Sequence, residues 1–135
     1  MNRILEIPDK NINVDELPGN VLAYIGDAVF ELYVTTKVVL EKYRKLDELN
    51  HEAHKFVKAS EQAAAFKNIE AILTEDEITI YKRGRNGGGN ISSRSASVVD
   101  YRMATGLEAL TGYLYLTKNF DRLDEIMELI LNKGE

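Results

Sequence analysis

Apolar residues recur at intervals of three and four along most of this chain, which is the spacing of one face of an α-helix. Pro18 stands just before the first such segment and suits a first helical turn, because its missing N–H would have no partner there. The apolar residues that follow it are Val21, Leu22, Ile25, Val29, Leu32, Tyr33 and Leu40. No segment shows convincing strand periodicity, and no internal repeat is visible. The pattern predicts an all-α fold of about five to seven helices.

Helix start and stop signals divide the middle of the chain. A second helical region covers residues 47–73 and is predicted to break near Lys58–Ser60, with Ser60 as the N-cap of its second half. Thr74 followed by Glu77 is a capping-box pattern. The helix that this box opens should stop around Gly84.

Two further helices are predicted toward the C-terminus. Ser97 begins a largely apolar helix that extends to Leu116, and Asp121 opens an amphipathic one with Gly134 as its C-cap. The buried face of this last helix is predicted to consist of Leu123, Ile126, Met127, Ile130 and Leu131.

The size and composition of the chain indicate a single domain. Its 135 residues are 44% hydrophobic, enough for one compact core, and the absence of cysteine excludes disulfides and thiolate metal sites. Residues 1–16 are predicted to form a loosely attached arm, and residues 17–135 the domain. The most apolar run, Val21–Leu40, contains Asp27 and Glu31, so it predicts a buried helix and no membrane span. With no export or anchoring signal in view, we expect a cytoplasmic protein.

The charge of the chain is unevenly distributed. The net charge is −5, yet residues 82–102 carry +4 and the remainder −9. A basic segment on an acidic protein is typical of a localised binding site for a polyanion such as nucleic acid. A solvated loop that is basic by chance is the alternative, and charge alone does not decide between them. The cations of this segment are Lys82, Arg83, Arg85, Arg94 and Arg102.

Two carboxylates stand in the middle of the two most apolar helices. Asp27 follows Gly26, and Glu108 lies between Gly106 and Gly112. Glycine inside a helix costs roughly 1 kcal/mol relative to alanine, and close helix–helix approach is one reason to keep it. Such an approach would bring Asp27 and Glu108 face to face, where they repel each other unless a cation lies between them. Oxygen ligands without cysteine favour a hard ion such as magnesium.

Other interpretations of these carboxylates stay open at this point. Glu31 lies one helical turn after Asp27, so it is a candidate third metal ligand, an outer-shell partner or an ordinary surface residue. Alternatively, Asp27 and Glu108 form a structural network without metal, bonded to Arg102 or to some of the seven tyrosines.

Three strings in the chain resemble a known family. Residues 22–31, Leu-Ala-Tyr-Ile-Gly-Asp-Ala-Val-Phe-Glu, resemble the signature helix of the ribonuclease III catalytic domain. Residues 107–113 resemble the second metal-binding helix of that family. Residues 82–86, Lys-Arg-Gly-Arg-Asn, are similar to a string in its Mini-ribonuclease III subgroup. The resemblance covers about residues 17–131, and the first and third strings are distinctive in combination.

The resemblance implies a homodimeric, all-helical enzyme that cleaves double-stranded RNA and leaves 5′-phosphates and short 3′ overhangs. It also implies maturation of the large-subunit (23S) ribosomal RNA precursor. Asp27 and Glu108 match the catalytic, metal-binding carboxylates, and Tyr24 matches an aromatic position at the dimer interface.

Two positions depart from the full-length enzymes of the family. Ala23 stands where those enzymes carry glutamate, and Thr105 stands where they carry aspartate, as in the Mini subgroup. Fewer ligands should hold magnesium more loosely. No double-stranded-RNA-binding domain follows in the sequence, so we expect the catalytic domain to hold its own substrate. The residues predicted to bind RNA are Lys82, Arg83, Arg85, Asn86, Arg94 and Arg102.

Two other function classes compete with the nuclease. The first is a non-catalytic RNA-binding or ribosome-associated module on the same fold, which need not keep paired carboxylates in apolar helices. The second is a helical interaction domain without a nucleic-acid partner, which the basic segment disfavours. Long double-stranded RNA, with and without magnesium, distinguishes cutting, binding and neither.

Overall fold

The computed structural model describes residues 7, 12–42, 44–87 and 97–132. They form six α-helices: α1 (Gly19–Glu41), α2 (Leu46–Val57), α3 (Ala59–Ile69), α4 (Glu75–Asn86), α5 (Val98–Leu116) and α6 (Phe120–Leu131). Short 3-10 turns cover Val14–Glu16 and Glu70–Ile72. These residues contain no strand, so the predicted all-α fold is confirmed.

Helix α5 lies at the centre of the fold and packs against α1, α3, α4 and α6. Leu107 and Leu110 of α5 and Phe30 of α1 are fully buried in the core. Burying each such side chain stabilises the fold by roughly 1.5–3 kcal/mol before the entropy cost of ordering it. The core therefore forms where the two most apolar segments of the sequence meet, and these segments also carry Asp27 and Glu108.

Two of the predicted helix starts are confirmed by side-chain hydrogen bonds. The Thr74 hydroxyl accepts from the Glu77 N–H at 3.1 Å, and the Glu77 carboxylate accepts from the Thr74 N–H at 2.9 Å. This reciprocal pair is the predicted capping box of α4. At the start of α5, the Ser97 hydroxyl accepts from the Asp100 N–H at 3.0 Å.

Two other predicted helix ends are wrong. The predicted break between two helices is confirmed at Lys58, but α3 begins at Ala59, so Ser60 lies inside its first turn and caps nothing. Helix α4 continues past Gly84 to Asn86, and Gly87 follows it. The glycine at position 84 serves packing, because a Cβ there would lie 2.4 Å from the Cβ of Ala109. At the C-terminus, Asn132 follows α6, and the predicted cap Gly134 lies outside the described residues.

The described end of the predicted N-terminal arm contacts the helical body. The Tyr113 hydroxyl donates to Asp15 at 2.7 Å. Val14 and Leu17 pack against a small buried cluster that contains Leu22. The boundary between residues 16 and 17 stays a prediction. Among the described helices, none has the length and hydropathy needed to span a bilayer.

Candidate active site

Asp27 of α1 and Glu108 of α5 lie within hydrogen-bonding reach of each other, as their positions in the sequence predicted. Asp27 is exposed, whereas Glu108 is partly buried between the helices. Burial raises the pKa of Glu108 to about 8, and the hydrogen bond to Asp27 and its negative charge act in the same direction. An isolated pair in this arrangement therefore favours a proton, or another cation, between the two carboxyl groups.

Glycines bring the two carboxylates together by letting α1 and α5 approach at backbone distance. A Cβ added at Gly26 would lie 1.7 Å from the carbonyl oxygen of Glu108. A Cβ added at Gly112 would lie 2.1 Å from the carbonyl oxygen of Leu22. Real Cβ atoms never come so close, so any side chain at either position would push the helices apart. The prediction that these glycines serve close approach agrees with this geometry.

Gln62 of α3 is a site residue that the sequence analysis missed. Its side chain is buried, with 2% of its surface exposed, and its amide favours the ionised form of Glu108. The amide nitrogen Nε2 nevertheless lacks a fully formed hydrogen bond to any described acceptor. A signal for it existed, because Gln62 shares the helical spacing of Ala65, Phe66 and Ile69 and so occupies an apolar stripe.

The structural network without metal, which the sequence left open, finds little support at Glu108. The main influences on the pKa of Glu108 are its burial, Asp27, Gln62 and Glu31, and none of them is a cation. The side chain of Arg102 is exposed on α5. Two facing carboxylates with no cation among the described groups that mainly influence Glu108 are a suitable oxygen donor set for a hard metal ion.

The donor set offered by the described residues is small. They contain no cluster of three histidine, cysteine or acidic side chains that could enclose a metal ion. Glu31 is exposed as a residue. The pKa of its carboxyl group is nevertheless raised, mainly by partial desolvation and secondly by the negative charge of Asp27. Thr105 donates its hydroxyl to the Tyr101 carbonyl at 2.9 Å, and the methyl group of Ala23 is no ligand. A two-carboxylate site fits magnesium, which keeps several of its own waters and binds proteins through one or two carboxylates.

Some of the predicted RNA-binding residues are exposed to solvent, whereas others form hydrogen bonds with protein groups. Lys82, Asn86 and Arg102 are exposed, whereas the Arg83 guanidinium donates to the Leu17 carbonyl oxygen and links α4 to the start of α1. Arg85 donates to the Asn86 side chain at 3.0 Å and lies 5.8 Å from the centre of the Tyr81 ring. Arg94 lies outside the described residues.

Tyr24, predicted at a dimer interface, is the most exposed of the large hydrophobic side chains on α1, at 83% of its surface. Leu32, two turns further along the helix, is 57% exposed. Beside them an open groove of about 670 Å³ runs between α1 and α6. It is lined mainly by apolar side chains, among them Ile25, Leu32, Phe120, Met127 and Leu131.

Comparison with known proteins gives consistent matches. The family described as "Ribonuclease III domain" matches residues 20–119. A protein named "Mini-ribonuclease 3" from Clostridium tetani is 46% identical over 116 residues, which cover 85% of this chain and 77% of that protein. A protein of the same name from Streptococcus pneumoniae is 41% identical over 126 residues, covering 92% and 98% of the two chains. A crystal structure of a Fusobacterium nucleatum protein superimposes with a TM-score of 0.82 at 30% identity, covering 90% of this chain and 98% of the other.

Proposed function

The chain belongs to the ribonuclease III family of endoribonucleases, and we propose that it cuts double-stranded RNA with magnesium held by Asp27 and Glu108. The family matches confirm the resemblance found in the sequence. One observation carries the proposed site: the fold brings two carboxylates of apolar helices face to face and places no protein cation among the main influences on Glu108. This arrangement suits a site that takes its positive charge from solution.

The two carboxylates are placed differently and so would act differently. Asp27 is exposed and accessible to a large substrate, whereas Glu108 lies deeper and would hold the site from the helix interface. When bound, magnesium would offset negative charge on the scissile phosphate and activate a water for hydrolysis. Because Asp27 is exposed, it would bind the metal ion on the side of the site that faces the RNA backbone. Hydrolysis of the bond between the phosphorus and the 3′ oxygen leaves a 5′-phosphate on one fragment and a 3′-hydroxyl on the other.

The basic segment supports a grip on the RNA backbone. Lys82, Asn86 and Arg102 are exposed and therefore the best placed of the described candidates, and Arg94 belongs to the same proposal. Arg83 and Arg85 already donate hydrogen bonds to protein groups. Only the remaining N–H groups of each guanidinium would be available to contact a phosphate. Contacts of this kind follow the phosphates and the A-form shape of RNA, with only modest dependence on sequence.

A two-fold dimer is part of the proposal. The exposed Tyr24 and Leu32 and the adjoining apolar groove together present a surface that a second copy of the chain would cover. Two sites related by a two-fold axis would cut the two opposite strands of a duplex. We further propose the 23S ribosomal RNA precursor as the natural substrate, and the cytoplasm as the location.

The decisive experiment incubates the protein with a long RNA duplex in magnesium and, separately, in EDTA. The proposal requires cutting in magnesium only, with fragments that a ligase joins without prior phosphorylation, because each carries a 5′-phosphate. A non-catalytic RNA-binding module would shift the duplex in a gel without cutting it. A helical interaction domain would do neither.

A further inference from the structure

We propose that Gln62 is a positioning residue for the metal site: its buried amide donates to the ionised Glu108 carboxylate and sets the direction in which that carboxylate faces Asp27. The inference rests on the proposed function, because it assumes that these two carboxylates hold a metal ion. It goes beyond that function by giving a defined task to a residue on a third helix.

The placement of Gln62 is the first observation. It sits on the stripe of α3 that otherwise buries Ala65, Phe66 and Ile69, in a part of the fold that packs against α5. Only 2% of its surface is exposed. An aliphatic side chain would fill such a position without any polar group to satisfy.

The state of its amide is the second observation. Nε2 is buried and has no fully formed hydrogen bond among the described residues, although the side chain lies against Glu108. A buried donor without an acceptor destabilises a fold, because it has lost its hydrogen bonds to water without replacement. The fold therefore carries a cost at this position, and stability alone would favour an apolar residue there.

The chemistry of the carboxylate explains what offsets this cost. Glu108 lies within hydrogen-bonding reach of both Asp27 and Gln62. If Asp27 and Glu108 hold a metal ion, both would bind it as carboxylates, and a neutral donor from the protein would stabilise the orientation of the Glu108 carboxylate. A lysine or arginine at position 62 would supply one but would also compete with the metal as a cation. A neutral amide donates without neutralising the site.

The test replaces the amide and measures metal binding without RNA. Gln62→Met and Gln62→Leu keep an apolar side chain of similar size and remove the donor. Asn68→Met makes the same kind of change at an exposed position of α3 and serves as the control. The probe is Mn²⁺, with the free ion followed by electron paramagnetic resonance during titration. Melting temperatures are measured in parallel in EDTA.

We expect both Gln62 variants to bind Mn²⁺ about tenfold or more weakly, which is the usual effect of losing a hydrogen bond behind a metal ligand. In EDTA their melting temperatures should equal or exceed that of the wild type, since a buried unpaired donor is gone. In cleavage assays, low magnesium should slow them and high magnesium restore them, with the Michaelis constant for RNA unchanged.

Several outcomes would overturn the inference. Unchanged Mn²⁺ affinity in both variants would show that Gln62 does not act on the site. A lower melting temperature with normal Mn²⁺ affinity, or loss of the fold in both variants, would assign the residue to the core. Failure of the proposed function has a different signature: wild-type protein would then bind Mn²⁺ no better than Glu108→Gln does.

Discussion

The guanidinium of Arg122 on α6 binds both carboxylate oxygens of Glu77 at the start of α4. Nε donates to Oε2 and Nη2 to Oε1, each at 2.8 Å. Nη2 also donates to the Ile72 carbonyl oxygen at 2.9 Å. Because Glu77 simultaneously closes the capping box with Thr74, one carboxylate joins a helix start to a helix that follows it by some 45 residues.

The first prediction concerns this pair and is independent of catalysis. At pH 7, Glu77→Gln should reduce the free energy of unfolding by about 1–3 kcal/mol, since a bidentate bond to a charged partner is lost. The hydrogen bond from Arg122 lowers the pKa of Glu77 below its usual 4.5. The stabilisation is therefore complete above the usual pKa and disappears as pH falls through the lowered value.

Urea unfolding between pH 3 and pH 7 checks this prediction. Glu75→Gln is the matched control, because Glu75 lies in the same first turn of α4 but is exposed. It reports the interaction of an acidic side chain with the helix dipole alone. A loss of stability in Glu77→Gln that matches the control, or that persists unchanged at pH 3, would contradict the prediction.

Much of the fold could be predicted because its causes are local in sequence. The apolar spacing on either side of Asp27 and Glu108 fixes which helices are buried, and Thr74 with Glu77 marks a helix start within four residues. Contacts between distant elements leave no such mark. Nothing near Arg122 in the sequence indicates that its partner is Glu77.

The same distinction explains what the sequence analysis missed at the site. The sequence predicts that Gly84 ends a helix because glycine often does so, but the structure requires a glycine there because the Ala109 side chain of another helix leaves no room for a Cβ. The charge of Arg83 predicts a contact with RNA, whereas its hydrogen bond to the Leu17 carbonyl oxygen depends on how α4 packs beside the start of α1. The sequence analysis does not identify Gln62, although its helical spacing from Ala65, Phe66 and Ile69 places it in an apolar stripe.

The second prediction tests the metal-binding carboxylates. Asp27→Asn and Glu108→Gln should each abolish cleavage of double-stranded RNA while the protein stays folded and dimeric, because both changes keep side-chain size and remove charge. Magnesium should raise the melting temperature of the wild type and leave that of Glu108→Gln unchanged. Cleavage in magnesium at near wild-type rate by either variant would show that the assignment of that residue is wrong.

The third prediction tests close packing beneath the site. Gly26→Ala should destabilise the protein by about 1–3 kcal/mol or more, because the new methyl group would lie 1.7 Å from the Glu108 carbonyl oxygen and must push α1 from α5. The displacement would also separate the two carboxylates. The cleavage rate should therefore fall by more than the loss of folded protein alone would explain. Asn20→Ala, at an exposed position of α1, is the control. A Gly26→Ala protein with wild-type stability would refute this packing.

The fourth prediction concerns assembly. Tyr24→Asp should convert the proposed dimer to a monomer of 15.3 kDa, because it buries a charge where the partner would cover an aromatic ring. Light scattering at micromolar concentration measures the mass. Tyr101→Asp is the control, since Tyr101 is also a partly exposed tyrosine but lies on α5. A wild type that is monomeric at this concentration, or a Tyr24→Asp variant that stays dimeric, would count against the proposed interface.

The last prediction separates the cations that would hold RNA from the one that holds the fold. Lys82→Ala and Arg102→Ala remove exposed charges, so each should weaken binding to duplex RNA and reduce the salt slope of the affinity by about one unit. Their melting temperatures should match that of the wild type. Arg83→Ala should instead lower the melting temperature, because it breaks the bond to the Leu17 carbonyl that links α4 to α1.

The affinity of each variant is measured in calcium, to prevent cutting, over a range of salt concentrations. Arg83→Lys keeps the charge but not the planar guanidinium, so it should lose stability while retaining the salt slope. If Arg83→Ala melts like the wild type and flattens the salt dependence, the arginine binds phosphate and its contact with Leu17 contributes nothing measurable.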